Sequence, residues 1–170
     1  MNLVRATQAD LPDVIALMNH AYRGAGAGWN TENAYIEGDR ISLPDLSAEL
    51  AAKPQMQLLV WREGDVLLGC VSLEPAAGDA WYLGMMTVKP GRQDQQLGRR
   101  LLAEAEHVAK NLGAGRIRMS VVWVRETLIA WYLRRGYALT GETAPFPYGD
   151  LRWGRPLRDD LHFVILEKTL

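Results

Sequence analysis

Apolar positions along the chain recur at helical spacing, then at strand spacing, then at helical spacing again, and each change of period marks a change of element. Leu3 to Ala6 predicts a short strand. Leu11, Val14, Ile15, Met18, Ala21 and Tyr22 share one helical face behind a cap at Asp10, with Pro12 tolerated in the first turn. Gly24 to Gly28 breaks that helix. Thr31 caps a short helix through Glu32, Tyr35 and Ile36 that ends near Gly38, and Ser42 caps another from about Pro44 to Ala52, closed by Pro54. The period then falls to two. Met56 to Arg62 and Val66 to Glu74 predict a hairpin about Glu63-Gly64-Asp65, and Ala80 to Val88 adds a third antiparallel strand after the turn at Pro75 to Asp79.

Pro90 stops that strand, because proline has no N–H for the next ladder bond. A polar loop then feeds Leu97, Leu101, Ala105, Val108 and Leu112 at helical spacing, and Gly113 and Gly115 end the helix. Arg116 to Val122 reads as a further strand. Strand, helix, strand implies a right-handed parallel crossover, with the strands ending at Val88 and starting at Arg116 side by side. The loop from Gln93 to Gly98 then sits at their carboxyl end, where open sheets place ligands. A helix start offers unpaired N–H groups and partial positive charge, and Arg92, Arg99 and Arg100 lie nearby, so the stretch suits a phosphate or pyrophosphate. Glu126 to Arg135 predicts one more helix, stopped by Gly136. Tyr137 to Thr140 and Leu161 to Leu170 predict the last two strands, flanking an aromatic and proline-rich loop from Pro145 to Pro156.

With 170 residues, 48% of them hydrophobic, the chain can bury one substantial core, and no linker-like stretch divides it. The expectation is one soluble α/β domain over residues 1–170. A formal net charge of −1, without a long run of lysine and arginine, argues against nucleic acid and for a small ligand. No apolar segment approaches the roughly 20 residues of a membrane helix, and the expected location is the cytoplasm. Cys70 is the single cysteine, so no disulfide forms within the chain, and a buried inert thiol is the plain reading. His20, His107 and His162 never pair at metal-ligand spacing, and no metal is expected.

The helix-rich front, the antiparallel meander, Val88-x-Pro90, the loop Gln93-Asp94-Gln95-Gln96-Leu97-Gly98 and the helix ending Tyr132-x-x-x-Gly136-Tyr137 together resemble the GNAT superfamily of acyl-CoA-dependent N-acyltransferases. The resemblance spans nearly the whole chain. It implies an α+β fold with a mixed, mostly antiparallel sheet flanked by helices, and acetyl-CoA as cosubstrate. The cofactor would lie along Met86, Thr87 and Val88, where the family's strand parts from its parallel neighbour and frees backbone groups for the pantetheine arm. Gly84, in mid-strand, is compatible with a bulge there. One freed N–H would stabilise the oxyanion, an effect of order 3 kcal/mol in other acyl-transfer sites. The pyrophosphate would rest on Gln93, Asp94, Gln95, Gln96, Leu97 and Gly98, beside Arg99. Gln96 stands where the family usually has its first glycine, so either its side chain points away from the cofactor or the backbone approaches the phosphates less closely.

The same resemblance makes Tyr132 the general acid that protonates the departing thiolate, whereas taken alone it reads as a packed amphipathic tyrosine. Arg125 stands where the family often has asparagine, and would either contact cofactor phosphate or solvate the helix start. Tyr82 occupies the position of a glutamate base in several relatives. A phenol is a poor base at neutral pH, so an ordered water or an already neutral amine is the simpler route. Glu32 and Glu74 are fallback bases that read more plainly as solvated carboxylates. Trp29, Glu32, Tyr35, Tyr82, Phe146, Tyr148 and Trp153 would wall the acceptor pocket, or would only pack loops on the sheet. The expected activity is transfer of acetyl from acetyl-CoA to a primary amine of a small molecule, by direct attack in a ternary complex, in a monomer or homodimer. A non-catalytic acyl-CoA sensor and a protein or peptide acetyltransferase are the alternatives.

Overall fold

A computed structural model describes residues 2–24, 31–91 and 96–170. Strands β1 (Val4–Arg5), β3 (Gln57–Glu63), β4 (Val66–Pro75), β5 (Ala80–Val88), β6 (Arg116–Val122), β7 (Ala138–Pro145) and β9 (His162–Thr169) form one sheet. Its order is β1-β3-β4-β5-β6-β9-β7, and β5 with β6 is the parallel pair. A separate ribbon pairs β2 (Ile36–Glu37) with β8 (Arg155–Pro156). The helices are α1 (Leu11–Arg23), α2 (Leu43–Ala52), α3 (Leu97–Asn111) and α4 (Glu126–Leu133). The meander and the β5-α3-β6 crossover thus lie where the apolar periods put them.

Both sheet faces are covered, which explains why β3 reads as an unbroken apolar run. Leu58 and Val60 point to α1 and α2, while Leu59 and Trp61 point to the opposite core with α3, as alternation requires. On the first face Leu11, Val14 and Met18 of α1 and Leu46 of α2 pack with Cys70. Burial pushes the Cys70 thiol up to about 12, so it stays protonated and inert. On the second face Leu101, Ala105 and Ala109 of α3 meet Val71, Leu73, Ile117 and Leu166. Tyr137 donates from its hydroxyl to Glu106 at 2.9 Å, and Lys168 reaches the same carboxylate at 2.7 Å, tying α3 to the last strand.

Four expectations are corrected. The segment after Thr31 makes only one turn, Tyr35 and Ile36 both donating to the Glu32 carbonyl, before it straightens into β2 and pairs with β8. Asp10 does not cap α1 with its side chain: Thr7 opens a preceding 3₁₀ turn, and the Asp10 carboxylate accepts from the Thr7 N–H and hydroxyl at 2.8 Å each. The strand after Tyr137 continues to Pro145, past a register shift between Leu139 and Thr143 that Gly141 accommodates at φ 83°. The stretch foreseen as a plain loop contains a 3₁₀ turn at Leu151–Trp153 and then β8.

Leu101 is fully buried where α3 crosses β4, so Leu101→Ala leaves a cavity with little room to collapse. Urea or thermal unfolding should show a loss of about 2–5 kcal/mol.

Candidate active site

The ladder between β5 and β6 holds only from Ala80↔Arg116 to Tyr82↔Arg118. Beyond it β6 stays paired with β9 along its whole length, and β5 stays with β4, so the sheet opens into a cleft. A bulge sharpens the opening: Ser72 pairs with Gly84 and Cys70 with Thr87, leaving Met85 and Met86 opposite a single residue, Val71. The positive φ of this bulge falls on Met85, at 51°, and not on Gly84. The freed Met85 carbonyl accepts from the Thr87 hydroxyl at 3.0 Å, with the Cys70 thiol at 3.6 Å. The Met86 carbonyl accepts from the Tyr22 hydroxyl at 3.3 Å. Buried backbone groups that lose a ladder need other partners, and here side chains supply them.

Two cavities of about 410 Å³ each lie against the bulge. Tyr22 and Arg125 line both. The first cavity runs from Met86, Thr87 and Val88 to Gln96, Gly98 and Arg99 at the start of α3, with α4 as the far wall. Gln96 takes the left-handed conformation, φ 55°, as the residue before α3, and no side chain among the described residues caps this helix start. That conformation is the reason glycine would be favoured here. A Cβ on Gly98 would sit 3.4 Å from the Trp131 ring, so this glycine lets the helix start approach α4. Uncapped N–H groups, the Arg99 guanidinium and an open strand edge fit a nucleotide-linked thioester with a pyrophosphate at the helix and an extended arm along β5. Tyr132 stands in the same cavity, its hydroxyl 3.5 Å from the Met86 sulfur and its ring edge-on to Trp131 and Tyr137. Burial raises the Tyr132 phenol above its ordinary range, so the proton is held throughout neutral pH.

The second cavity lies on the other side of Met85, under the β2/β8 ribbon, and is walled by Tyr82, Ser120, Phe146 and Trp153. Its electrostatic centre is Glu32, whose carboxylate is 6% exposed and is bracketed by Arg125 at 3.0 Å and Arg23 at 3.2 Å. Burial lowers Arg23, and Glu32 only partly offsets this; at Arg125 burial acts the same way, but Glu32 and the nearby phenols prevail and the net shift is upward. Arg23 also donates to the carbonyls of Gly38 and Trp153, at 2.7 and 2.8 Å. One buried triad therefore joins α1, the segment after it, the entry to α4 and the loop before β8. Tyr82 shares a short hydrogen bond with Ser120 across the first opening of the cleft.

A family model described as the acetyltransferase (GNAT) family matches residues 16–137. The chain belongs to this family. Membership makes it an acyl-CoA-dependent N-acyltransferase with acetyl-CoA as cosubstrate, and the cleft between β5 and β6 is built to suit such a ligand. An IAA acetyltransferase of Azospirillum brasilense is 26% identical over 147 residues, covering 85% of this chain and 90% of that protein. Among solved structures, a ribosomal-protein-alanine N-acetyltransferase from Brucella melitensis superposes with a TM-score of 0.70 at 22% identity, over 100% of both chains. The PaiA N-acetyltransferase from Thermoplasma acidophilum, in complex with coenzyme A, gives 0.69 at 18% identity over 99% and 98% of the two chains.

Most of the residues expected at the site gather around the cleft, with instructive exceptions. Met86, Thr87, Val88, Gln96, Gly98 and Arg99 line the first cavity with Tyr132. Leu97 buries its side chain in the core, which leaves only its backbone to face a ligand. Gln93, Asp94, Gln95 and Trp29 lie outside the described residues. Arg125 lines both cavities, and its guanidinium is buried against Glu32. Glu32 is not a solvated carboxylate, and with each oxygen accepting from a buried guanidinium group it is a poor base for an amine. Glu74 is held by Lys53 at 3.0 Å. Tyr35 and Tyr148 line neither cavity: Tyr35 packs with Val122 and Phe146, and the Tyr148 hydroxyl donates to the Arg158 carbonyl and accepts from the Leu161 N–H. Tyr22 was overlooked because its place on the apolar stripe of α1 hid a hydroxyl that reaches β5.

Glu32→Ala removes the carboxylate that Arg23 and Arg125 share and should cost about 3–5 kcal/mol in thermal or urea unfolding. Gln96→Gly should stabilise by about 1 kcal/mol by relieving the left-handed backbone, which corresponds to a Tm about 2–4 °C higher in a domain of this size.

Proposed function

We propose that the protein transfers the acetyl group of acetyl-CoA to a primary amine of a small molecule, by direct attack within a ternary complex. The observation that carries this reading is the meeting of the two cavities at Tyr22 and Arg125, beside the bulge of β5. A thioester presented from the α3 side and an amine presented from the β2/β8 side would meet there. The roof of Phe146, Pro147 and Trp153 over the second cavity favours a compact acceptor. The IAA acetyltransferase of Azospirillum brasilense among its relatives supports a small-molecule acceptor.

Acetyl-CoA supplies an activated acyl carbon and a thiolate leaving group. Backbone groups of Met86 and Val88 on the open edge of β5 orient the thioester and offer an N–H to the oxygen as it gains charge, a contribution of order 3 kcal/mol in comparable sites. The amine nitrogen attacks the carbonyl carbon, the carbon–nitrogen bond forms and the carbon–sulfur bond breaks. Tyr132 gives its hydroxyl proton to the departing sulfur, and the amine proton leaves through water. Tyr132 suits this role because it keeps its proton until a stronger base, the thiolate, appears next to it.

Tyr132→Phe should lower kcat by about 100-fold or more while acetyl-CoA affinity holds, measured by thiol release under conditions where chemistry limits turnover. Unchanged kcat removes Tyr132 from the chemistry. The sign of the pH effect follows from the raised phenol: the proton is fully present below the ordinary tyrosine pKa of about 10 and is lost only above it. Any alkaline loss of kcat due to Tyr132 should therefore begin above about pH 10. A limb between pH 7 and 9 that disappears in Tyr132→Phe contradicts this assignment.

A further inference from the structure

The cations of the second cavity are not treated alike. Arg23 and Arg125 share the Glu32 carboxylate, and Lys53 lies 3.3 Å from Glu49 and 3.0 Å from Glu74. Arg40 lines the same cavity and makes no ion pair among the described residues. Its guanidinium carbon lies over the rings of Trp153, at 4.8 Å, and Tyr22, at 5.4 Å. Its Nη1 is buried with no hydrogen-bond partner. A buried donor left unpaired is costly, and an anionic ligand would remove that cost.

The backbone beneath Arg40 is fixed. Asn19 accepts from the Arg40 and Ile41 N–H groups at 2.7 and 3.1 Å and donates to the Ile41 carbonyl at 3.0 Å, while Ile41 itself is fully buried. The side chain is thus presented from a rigid strut on α1, stacked and oriented, with an unsatisfied edge. An arginine so placed matches a carboxylate, whose two oxygens accept from two guanidinium N–H groups. Tyr22 links this point to the reaction centre, because the ring under Arg40 carries the hydroxyl that reaches the Met86 carbonyl.

We infer that Arg40 is the carboxylate-binding residue of the acceptor site, and that the acceptor is a small amine that also carries a carboxylate, an amino acid or a compound of that class. This rests on the reading of the second cavity as the acceptor site. Trp153 stacks on the guanidinium and covers one of its faces, which strengthens its attraction for a carboxylate.

Thiol release from acetyl-CoA tests this with matched pairs: L-phenylalanine against phenethylamine, L-leucine against isopentylamine, L-methionine against 3-(methylthio)propylamine, and 4-aminobutyrate against propylamine. At least one acid should exceed its decarboxylated partner in kcat/KM by about 100-fold. In Arg40→Met that ratio should collapse, mainly through the KM of the acid, and Arg40→Lys, which keeps the charge but not the fork, should recover part of it. Should Arg40→Met fold poorly, the wild-type ratios and Arg40→Lys still decide the matter. Equal kcat/KM within every pair, or a ratio that survives in both variants, overturns the inference while leaving small-amine acetylation standing. No release with any of these compounds overturns both.

Discussion

Everything at the candidate site depends on two parallel strands that stop pairing. The β5/β6 ladder ends at Tyr82 and Arg118, and each strand keeps its outer neighbour, so the parting costs few hydrogen bonds overall. The bulge at Met85 and Met86 turns that parting into a usable geometry. It places one carbonyl under the Thr87 hydroxyl, turns the next to Tyr22, and leaves an edge of β5 without a strand beside it. An edge of this kind is ordinarily a liability. Here helices and loops cover it from both sides, and it becomes the floor of two cavities.

The second constraint is the triad of Arg23, Glu32 and Arg125. Its members come from the end of α1, the segment that follows and the entry to α4, and burial makes each of them dependent on the others. A buried ion triad is a weak source of stability but a strong source of registry, since an unpaired member is costly. In this protein it fixes the wall shared by the two cavities, so the two are held in one relative placement. Arg40 stands next to that triad without belonging to it, and no carboxylate pairs with it among the described residues.

The framework was legible in the sequence because it rests on local chemistry. Alternation in Met56 to Val88, the stop at Pro90 and the 3.6-residue period after Leu97 each follow from backbone hydrogen bonding, and the resemblance carried by Val88-x-Pro90 and Tyr132-x-x-x-Gly136 pointed to the family. What could not be read were tertiary choices. Glu32 sits in a polar stretch like a solvated carboxylate, and only the arrival of Arg125 from a point 93 residues away makes it buried. Tyr22 has the spacing of a core residue, and spacing says nothing of where a hydroxyl ends. The left-handed backbone fell on Met85 and Gln96 rather than on nearby glycines, because the bulge and the helix start dictate φ there and the side chains yield. The turn after Thr31 lost to strand pairing for a similar reason: β8 offered Ile36 and Glu37 partners that one more helical turn did not.

The cleft as the seat of both substrates is tested most directly by a crystal structure of the protein with coenzyme A and a slowly reacting acceptor analogue. The account predicts the pyrophosphate at the start of α3 near Gly98, the pantetheine arm along Met86 to Val88 in place of a paired strand, and the thiol within hydrogen-bonding reach of the Tyr132 hydroxyl. The acceptor should enter from the Arg40 side. Coenzyme A bound elsewhere, or a complex in which β5 and β6 close on each other beyond Tyr82, would contradict it.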